Sequence, residues 1–311
     1  MTVLTEQTAV DAPEEKRPIE KAEAPFRRFV SDFAESKVAV AGLLVFLTIM
    51  FIAVFAPWIS PTDPYDLATV DILDSRLAPG EQMMSGTTAV LGTDGLGRDM
   101  LSAMFYGLRI SLGVGVASGL IALCLGATIG LAAAYFGGRV DTIIMRIVDL
   151  QLSFPAILIA LVLLATLGKG VDKIIIALIV VQWAYYARTV RGSALVERSK
   201  EYVEAATCLA LSHRRIVFRH MLPNCLPPLI VVGTVQTASA IALEATLSFL
   251  GVGLPQTEPS LGLLIANGFD YMLSLKYWIS FYPGLALLLT IIAINLVGDQ
   301  LRDVLNPRLQ K

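Results

Sequence analysis

VAVAGLLVFLTIMFIAVFA, residues 38–56, runs for 19 positions without a charged side chain. A helix rising about 1.5 Å per residue needs about 20 such positions to cross the ~30 Å hydrocarbon core of a bilayer. The stretch reads as a membrane-spanning helix, stopped by Pro57 and Pro61, which lack the amide a helix interior requires. Five more apolar runs follow, at 110–134, 143–167, 174–187, 226–254 and 277–298. The fourth holds only 14 uncharged residues, so its span is extended to 171–188. The pattern is that of an all-α membrane protein with six transmembrane helices. Composition agrees, because 16% charged residues against about 25% in soluble domains, with a mean hydropathy of +0.68, excludes an ordinary soluble chain. The net charge of -2 averages over two compartments and points to no nucleic-acid partner.

Lys and Arg between the spans set the orientation, because basic loops stay cytoplasmic. With the N-terminus inside, 18 of the 24 basic residues fall on the cytoplasmic side, and only Arg76, Arg98, Arg109, Lys169, Lys173 and Lys276 fall outside. Both termini are therefore expected in the cytoplasm. Residues 1–25 are polar and mixed in charge, too poor in apolar side chains for a core, and read as a disordered cytoplasmic tail. Residues 26–311 read as one membrane domain. Three connections exceed turns: an acidic, Pro- and Gly-rich external one at 57–108, a cytoplasmic one at 188–224 and an external one at 255–276.

Catalytic and metal-binding residues are not found. Cys124, Cys208 and Cys225 have no metal-like spacing, and His213 and His220 lack a third ligand nearby. No phosphate-binding loop occurs, since Gly168, Lys169 and Gly170 lack both the upstream glycine and the following hydroxyl residue. Within the spans, Arg146, Asp149, Gln236, Glu244 and Asn295 are polar groups that lipid penalises. Arg146 and Asp149, three apart, are expected to pair on one helical face. Gln236 and Glu244, eight apart, are expected to share a face and to line a water-filled path or bond between helices.

Residues 201–224 read EYVEAATCLALSHRRIVFRHMLPN. Val203, Ala206, Leu209 and Ala210 fall at spacings of three and four, giving a short helix with one apolar face. Ser212 is expected to cap a second helix, which Pro223 would end. Such a small-residue helix suits a groove on a cytoplasmic partner, its alanines allowing close approach and Glu204 offering a charge. The order of residues resembles the EAA loop of permease subunits of ATP-binding cassette importers: Glu-Ala-Ala, three residues, Gly, nine residues, Ile, one residue, Leu-Pro. Glu204, Ala205, Ala206, Leu222 and Pro223 match, while Ala210 stands at the Gly and His220 at the Ile. Alanine lacks glycine's freedom at positive φ, so the turn is expected to tighten or continue as helix.

Two external stretches narrow the resemblance. LGTDGLGRDMLSAMFYGLRISLGVG at 91–115 and LSFLGVGLPQTEPSLG at 247–262 are similar to the outer segments of C-type permeases in the bacterial dipeptide, oligopeptide and nickel importer family. Gly92, Asp94, Gly97, Arg98 and Asp99 form the first signature. Gly92, Gly95 and Gly97 would allow tight turns, and Asp94 and Asp99 would cap helices. The resemblance implies a type I importer permease fold in the bacterial inner membrane and transport by alternating access, with peptides as cargo or, alternatively, nickel chelates or another small solute. It implies as partners a second homologous permease, two ATPases that bind ATP and Mg, and an extracytoplasmic substrate-binding protein, with no cofactor on this chain. It implies that Glu204, Ala205, Ala206, Leu209, Ala210, Leu222 and Pro223 meet the ATPase. A bulky residue at 206 is then expected to abolish substrate-stimulated ATP hydrolysis while sparing membrane insertion. Two rival classes would leave other patterns. An ion-driven secondary transporter would show broken helices in inverted repeats, and a membrane-embedded protease would need paired Asp, a Ser/His pair or a zinc motif inside the spans; neither pattern stands out.

Overall fold

A computed structural model describes residues 25–65 and 70–305; the expected tail at 1–25 lies, apart from Pro25, outside the described residues. Among those described, the chain is helical, with only two isolated bridges, Gln82 to Thr88 and Thr93 to Asp99, in the external segment. A short helix α1 (Pro25–Ala34) precedes α2 (Lys37–Ile59), whose first turn is capped by Ser36. The long α3 (Met100–Phe136) follows the external segment. Next come α4 (Gly138–Ser153), α5 (Ala156–Leu167), α6 (Val171–Arg198) and the short α7 (Glu201–Cys208). The chain ends in α8 (His213–Phe249), α9 (Leu261–Phe269) and α10 (Trp278–Leu305). Five helices, α2, α3, α6, α8 and α10, are long and apolar enough to cross a membrane, and α4 with α5 makes a sixth if the bent pair is one span.

Four expectations about these helices need correction. The run 143–167 is no single helix: α4 and α5 meet at 90°. Pro155 has no amide to donate and pushes Phe154 out of the helical region, to φ -95° and ψ 142°. α3 starts at Met100 rather than 110, because the Asp99 carboxylate accepts from the Ser102 amide at 2.8 Å and its hydroxyl at 2.6 Å, a strong N-cap. Pro223 does not end a helix before the fifth span. It sits inside α8, at the junction where the α-helical part begins, and the helix continues through it. A π-helical turn at Ile216–Met221 links that part to His213–Arg215, its last bond running from the Leu222 amide to the Val217 carbonyl. Finally, Arg146 is exposed, and Asp149 pairs across to Arg188 on α6 instead. Arg191 of α6 likewise grips Asp141 of α4, through two bonds of 2.7 and 2.6 Å. These two pairs tie α4 against α6.

The centre of the bundle is the contact of α3 with α6, which glycines make possible. A Cβ on Gly126 would stand 2.4 Å from the Trp183 carbonyl oxygen, and one on Gly130 would stand 2.3 Å from that of Ala187. Helix axes this close are built from small residues, since lipid offers no hydrophobic drive to associate and packing must supply it. Around the contact, Ala122, Leu131, Tyr186, Val190 and Ala194 join Val203, Ala206, Ile216 and Met221 in one buried cluster. The loop that carries α7 is thus an extension of the α3–α6 core.

Candidate functional site

The loop between α6 and α8 is a compact hook of one short helix and one tight turn. α7 presents Glu201, Glu204, Ala205 and Cys208 to solvent and turns Val203 and Ala206 inward, Ala206 being only 6% exposed. Leu209, placed by its spacing on the apolar face, is 74% exposed instead. Ala206 therefore points into the bundle, and Leu209 points to solvent. The helix closes at Leu209 in a Schellman motif: the Ala210 amide donates to the Thr207 carbonyl at 2.9 Å and the Leu211 amide to that of Ala206 at 3.2 Å. Leu211 and Ala206 also pack together in the core. Such a motif needs a left-handed residue after the cap, and Ala210 supplies it at φ 51°. The turn at the expected glycine is thus retained, by an alanine held in a strained conformation. Ser212 stands before the next helical turn without a side-chain capping bond. Leu222 is half-buried and Pro223 exposed.

Relief of that strain is measurable. A left-handed alanine costs roughly 1–2 kcal/mol, and glycine gives back about 0.4–1 kcal/mol through its more flexible unfolded chain. Ala210→Gly is therefore expected to stabilise the purified protein by about 0.5–1 kcal/mol, read as a higher melting temperature. No change, or a lower value, would mean that the turn is not left-handed in the membrane.

A polar network ties the hook to the bundle. The Tyr202 hydroxyl donates to Glu197 Oε2 at 2.7 Å, and the Asn224 amide donates to the Tyr202 oxygen at 3.2 Å. Lys200 donates to Glu197 Oε1 at 2.6 Å. Burial, and then the bond to Glu197, push the Tyr202 hydroxyl up to about 12, so it remains a neutral donor at any physiological pH. One phenol thus joins the end of α6, the helix α7 and the start of the α-helical part of α8. On the other side, the Tyr135 hydroxyl shares a 2.6 Å hydrogen bond with His213 Nδ1, and Arg198 donates to the Ala134 carbonyl at 3.0 Å. Sequence reading passed over Glu197, Tyr202 and Asn224; their only local signal was a tyrosine and an asparagine inside the quoted loop.

Glu197 and Asn224 also line a cavity of about 910 Å³ between α6, α8 and α10, together with Tyr185, Thr189, Gln236 and Arg302. Gln236 therefore faces open space. Glu244 does not, being fully buried and accepting hydrogen bonds from Ser111 of α3 and Ser248 of its own helix, both at 2.8 Å.

The stretches 91–115 and 247–262 form one body. Asp94 is fully buried; its Oδ1 accepts from the amides of Leu96 and Arg98 at 2.9 Å, and its Oδ2 pairs with the Arg98 guanidinium at 2.7 Å. It thus closes a turn and caps no helix. Gly92 at φ 82° and Gly97 at φ 88° take the left-handed turns; Gly95 does not need one. Arg98 reaches on to the Gln256 carbonyl at 3.3 Å, so the segments 91–115 and 247–262 touch. Between them lies an outer cavity of about 520 Å³ bordered by Ser248, Gln256, Asn267 and Asp270.

Residues 126–311 match the family of binding-protein-dependent transport system inner membrane components, and residues 24–79 match the N-terminal TM domain of oligopeptide transport permease C. The chain belongs to this family. It is 39% identical to the di/tripeptide transport system permease protein DppC of Pseudomonas aeruginosa, over 92% of this chain and 93% of that one. It is also 39% identical to the dipeptide transport system permease protein DppC of Escherichia coli K12, over the whole of both. A putative peptide transport system permease of Brucella suis is 43% identical over 86% of this chain and 87% of that one. The fold is shared with an inward-facing MetNI methionine ABC transporter, at a TM-score of 0.54 and 18% identity, covering 67% of this chain and 98% of that one. The protein is thus an integral membrane permease subunit of an ABC importer, and ATP hydrolysis belongs to a separate subunit.

Proposed function

We propose that this permease forms half of a translocation path for short peptides and moves its walls by alternating access when ATPase subunits engage α7. The observation that carries the coupling role is the exposed tip Glu204, Ala205 and Leu209 on a hook bonded to the wall of the inner cavity. The peptide assignment is supported by the dipeptide and di/tripeptide permeases it resembles along its length. In this reading a second homologous permease completes the path, two ATPases carry ATP and Mg, a binding protein delivers cargo to the external body, and the chain itself holds no cofactor. Gln236 lines the path. Glu244 acts instead as a structural tie between α3 and α8.

Reconstituted with its partners, the permease is expected to take up labelled dipeptide only when ATP and all subunits are present. Uptake driven by an ion gradient without the ATPases would overturn the reading. The distribution of basic residues supports a cytoplasmic position for the loop and both termini. Cys208, exposed on α7, is expected to react with an impermeant maleimide in inverted vesicles and not in intact spheroplasts.

Tyr202→Phe removes one hydroxyl and little volume. A hydrogen bond to a charged group contributes about 1.5–3 kcal/mol, so the hook loosens from Glu197 and Asn224. The peptide transported per ATP hydrolysed is expected to fall about tenfold, while the ATPases still bind. An unchanged ratio would show that the network does not carry the movement.

A further inference from the structure

The inner cavity between α6, α8 and α10 holds two charges that nothing in the chain answers. Asp299 and Arg302 of α10 both line it and both are exposed. Among the described residues neither makes an ion pair or a side-chain hydrogen bond. Opposite charges three residues apart on a helix are neighbours and ordinarily attract. Here they stay beyond the 4.0 Å of an ion pair. Glu197, the remaining charge on the wall, is already engaged, since Lys200 donates to one of its oxygens and Tyr202 to the other. The cavity therefore offers one free anion and one free cation, about one helical turn apart, to whatever enters it.

A ligand that answers both charges carries both itself. A metal cation or a phosphate would be attracted by one of the two and repelled by the other. A free amino acid is a zwitterion, but its ammonium and carboxylate flank a single carbon and sit too close together to reach both. A two-residue peptide spans up to about 7 Å and does reach. Tyr185, Thr189 and Gln236 on the same wall offer hydrogen bonds to its amide, and Val231 and Val235 offer apolar contact to its side chains. The volume of about 910 Å³ lies in the range of small-molecule sites.

We propose that this cavity recognises the two ends of a short peptide, Arg302 taking its C-terminal carboxylate and Asp299 its N-terminal ammonium. Guanidinium meets a carboxylate through two parallel hydrogen bonds, which fixes the direction in which the peptide lies. The assignment rests on the peptide reading above and deepens it, by naming the residues that tell a free peptide from a capped one.

The test is equilibrium dialysis of labelled dialanine against the purified complex of permeases and ATPases, with neither ATP nor binding protein present, so that delivery and uptake do not enter. Unlabelled dialanine is expected to compete roughly tenfold better than its C-terminal amide, N-acetyl-dialanine or alanine, the factor that one lost hydrogen bond to a charged group costs. Arg302→Gln should bind dialanine and its amide alike while still rejecting the N-acetyl form, and Asp299→Asn should show the converse. Arg302→Lys keeps the charge but gives up the paired geometry, so it should retain part of the discrimination against the amide. Asp303→Asn, exposed and off the cavity wall, should behave as the unaltered protein does. A merely structural role for either residue would weaken all four ligands together and leave their ratios as they were. Unchanged ratios in Arg302→Gln and Asp299→Asn would therefore overturn the proposal. So would the absence of dialanine binding by a complex that imports dipeptide. A complex that binds with these ratios but imports no peptide would sink the transport reading and leave the end recognition standing.

Discussion

Gly130→Val is expected to yield no stable, monodisperse permease. The new side chain begins at a Cβ lying 2.3 Å from the Ala187 carbonyl oxygen, 2.4 Å from Val190 Cγ1 and 3.0 Å from the Ala187 carbonyl carbon. Flexible side chains can move aside, but a backbone carbonyl in the middle of α6 cannot move without its helix. Valine, branched at Cβ, adds two methyl groups to that clash. Overpacking a core costs typically 1–3 kcal/mol when side chains absorb it, and here α3 and α6 must separate, so the loss is placed at about 4 kcal/mol or more. The buried cluster that would open runs from Leu131 and Tyr186 to Val203, Ala206 and Ile216, so the cytoplasmic loop loses its footing as well. Gly113 on the same helix meets nothing within 4 Å, and Gly113→Val should purify and melt close to the unaltered protein. Size-exclusion profile and melting temperature of the two variants decide the matter. Equal behaviour would mean that α3 and α6 pack less closely than described.

How far the sequence could be read depends on the range of the interaction involved. Membrane spans are set by local apolar length, and the apolar runs at 38–56 and 174–187 lie within α2 and α6, while that at 277–298 overlaps α10. The break at Phe154 and Pro155 was also local, yet a window that counts apolar residues passes through it. Asp149 was given Arg146 because periodicity sees only partners on the same helix; Arg188 lies on another, and the packing of α4 on α6 that joins them is not written in either segment. Gln236 and Glu244 were given one face because eight residues are close to two turns. At about 100° per residue they are about 80° past two turns, enough to point one at the cavity and the other at Ser111. The loop shows the same limit. Leu209 belongs to the apolar face only while the helix continues, and the left-handed Ala210 ends it there. The wheel that put Leu209 inside does not exist beyond Cys208. The resemblance pointed to position 210, where the turn falls, although alanine there was expected to tighten the turn or continue the helix.

Leu209→Asp is expected to uncouple the importer without unfolding the permease. At 74% exposure on the tip of the hook, Leu209 adds little to this chain's own core, so the substitution should shift the melting temperature only slightly, by the ~0.3–1 kcal/mol that a negative charge costs at a helix C-terminus. In a partner's groove the balance reverses. Full burial of a leucine contributes about 1.5–3 kcal/mol, and an unpaired carboxylate in its place pays a further desolvation cost. Together these exceed about 3 kcal/mol, or at least a hundredfold in ATPase affinity. Co-purification of the ATPases and substrate-stimulated hydrolysis should both be lost, while the ATPases alone keep their basal rate. A bulky residue at Ala206, the sequence-based choice for this experiment, cannot separate the two effects, because Ala206 is 6% exposed and packs in the cluster shared with Leu131 and Ile216. Enlarging it would distort the hook and mimic lost docking through misfolding. A Leu209→Asp variant that still carries its ATPases and still couples would move the contact off the hook's tip, onto Glu201 and the opposite end of α7.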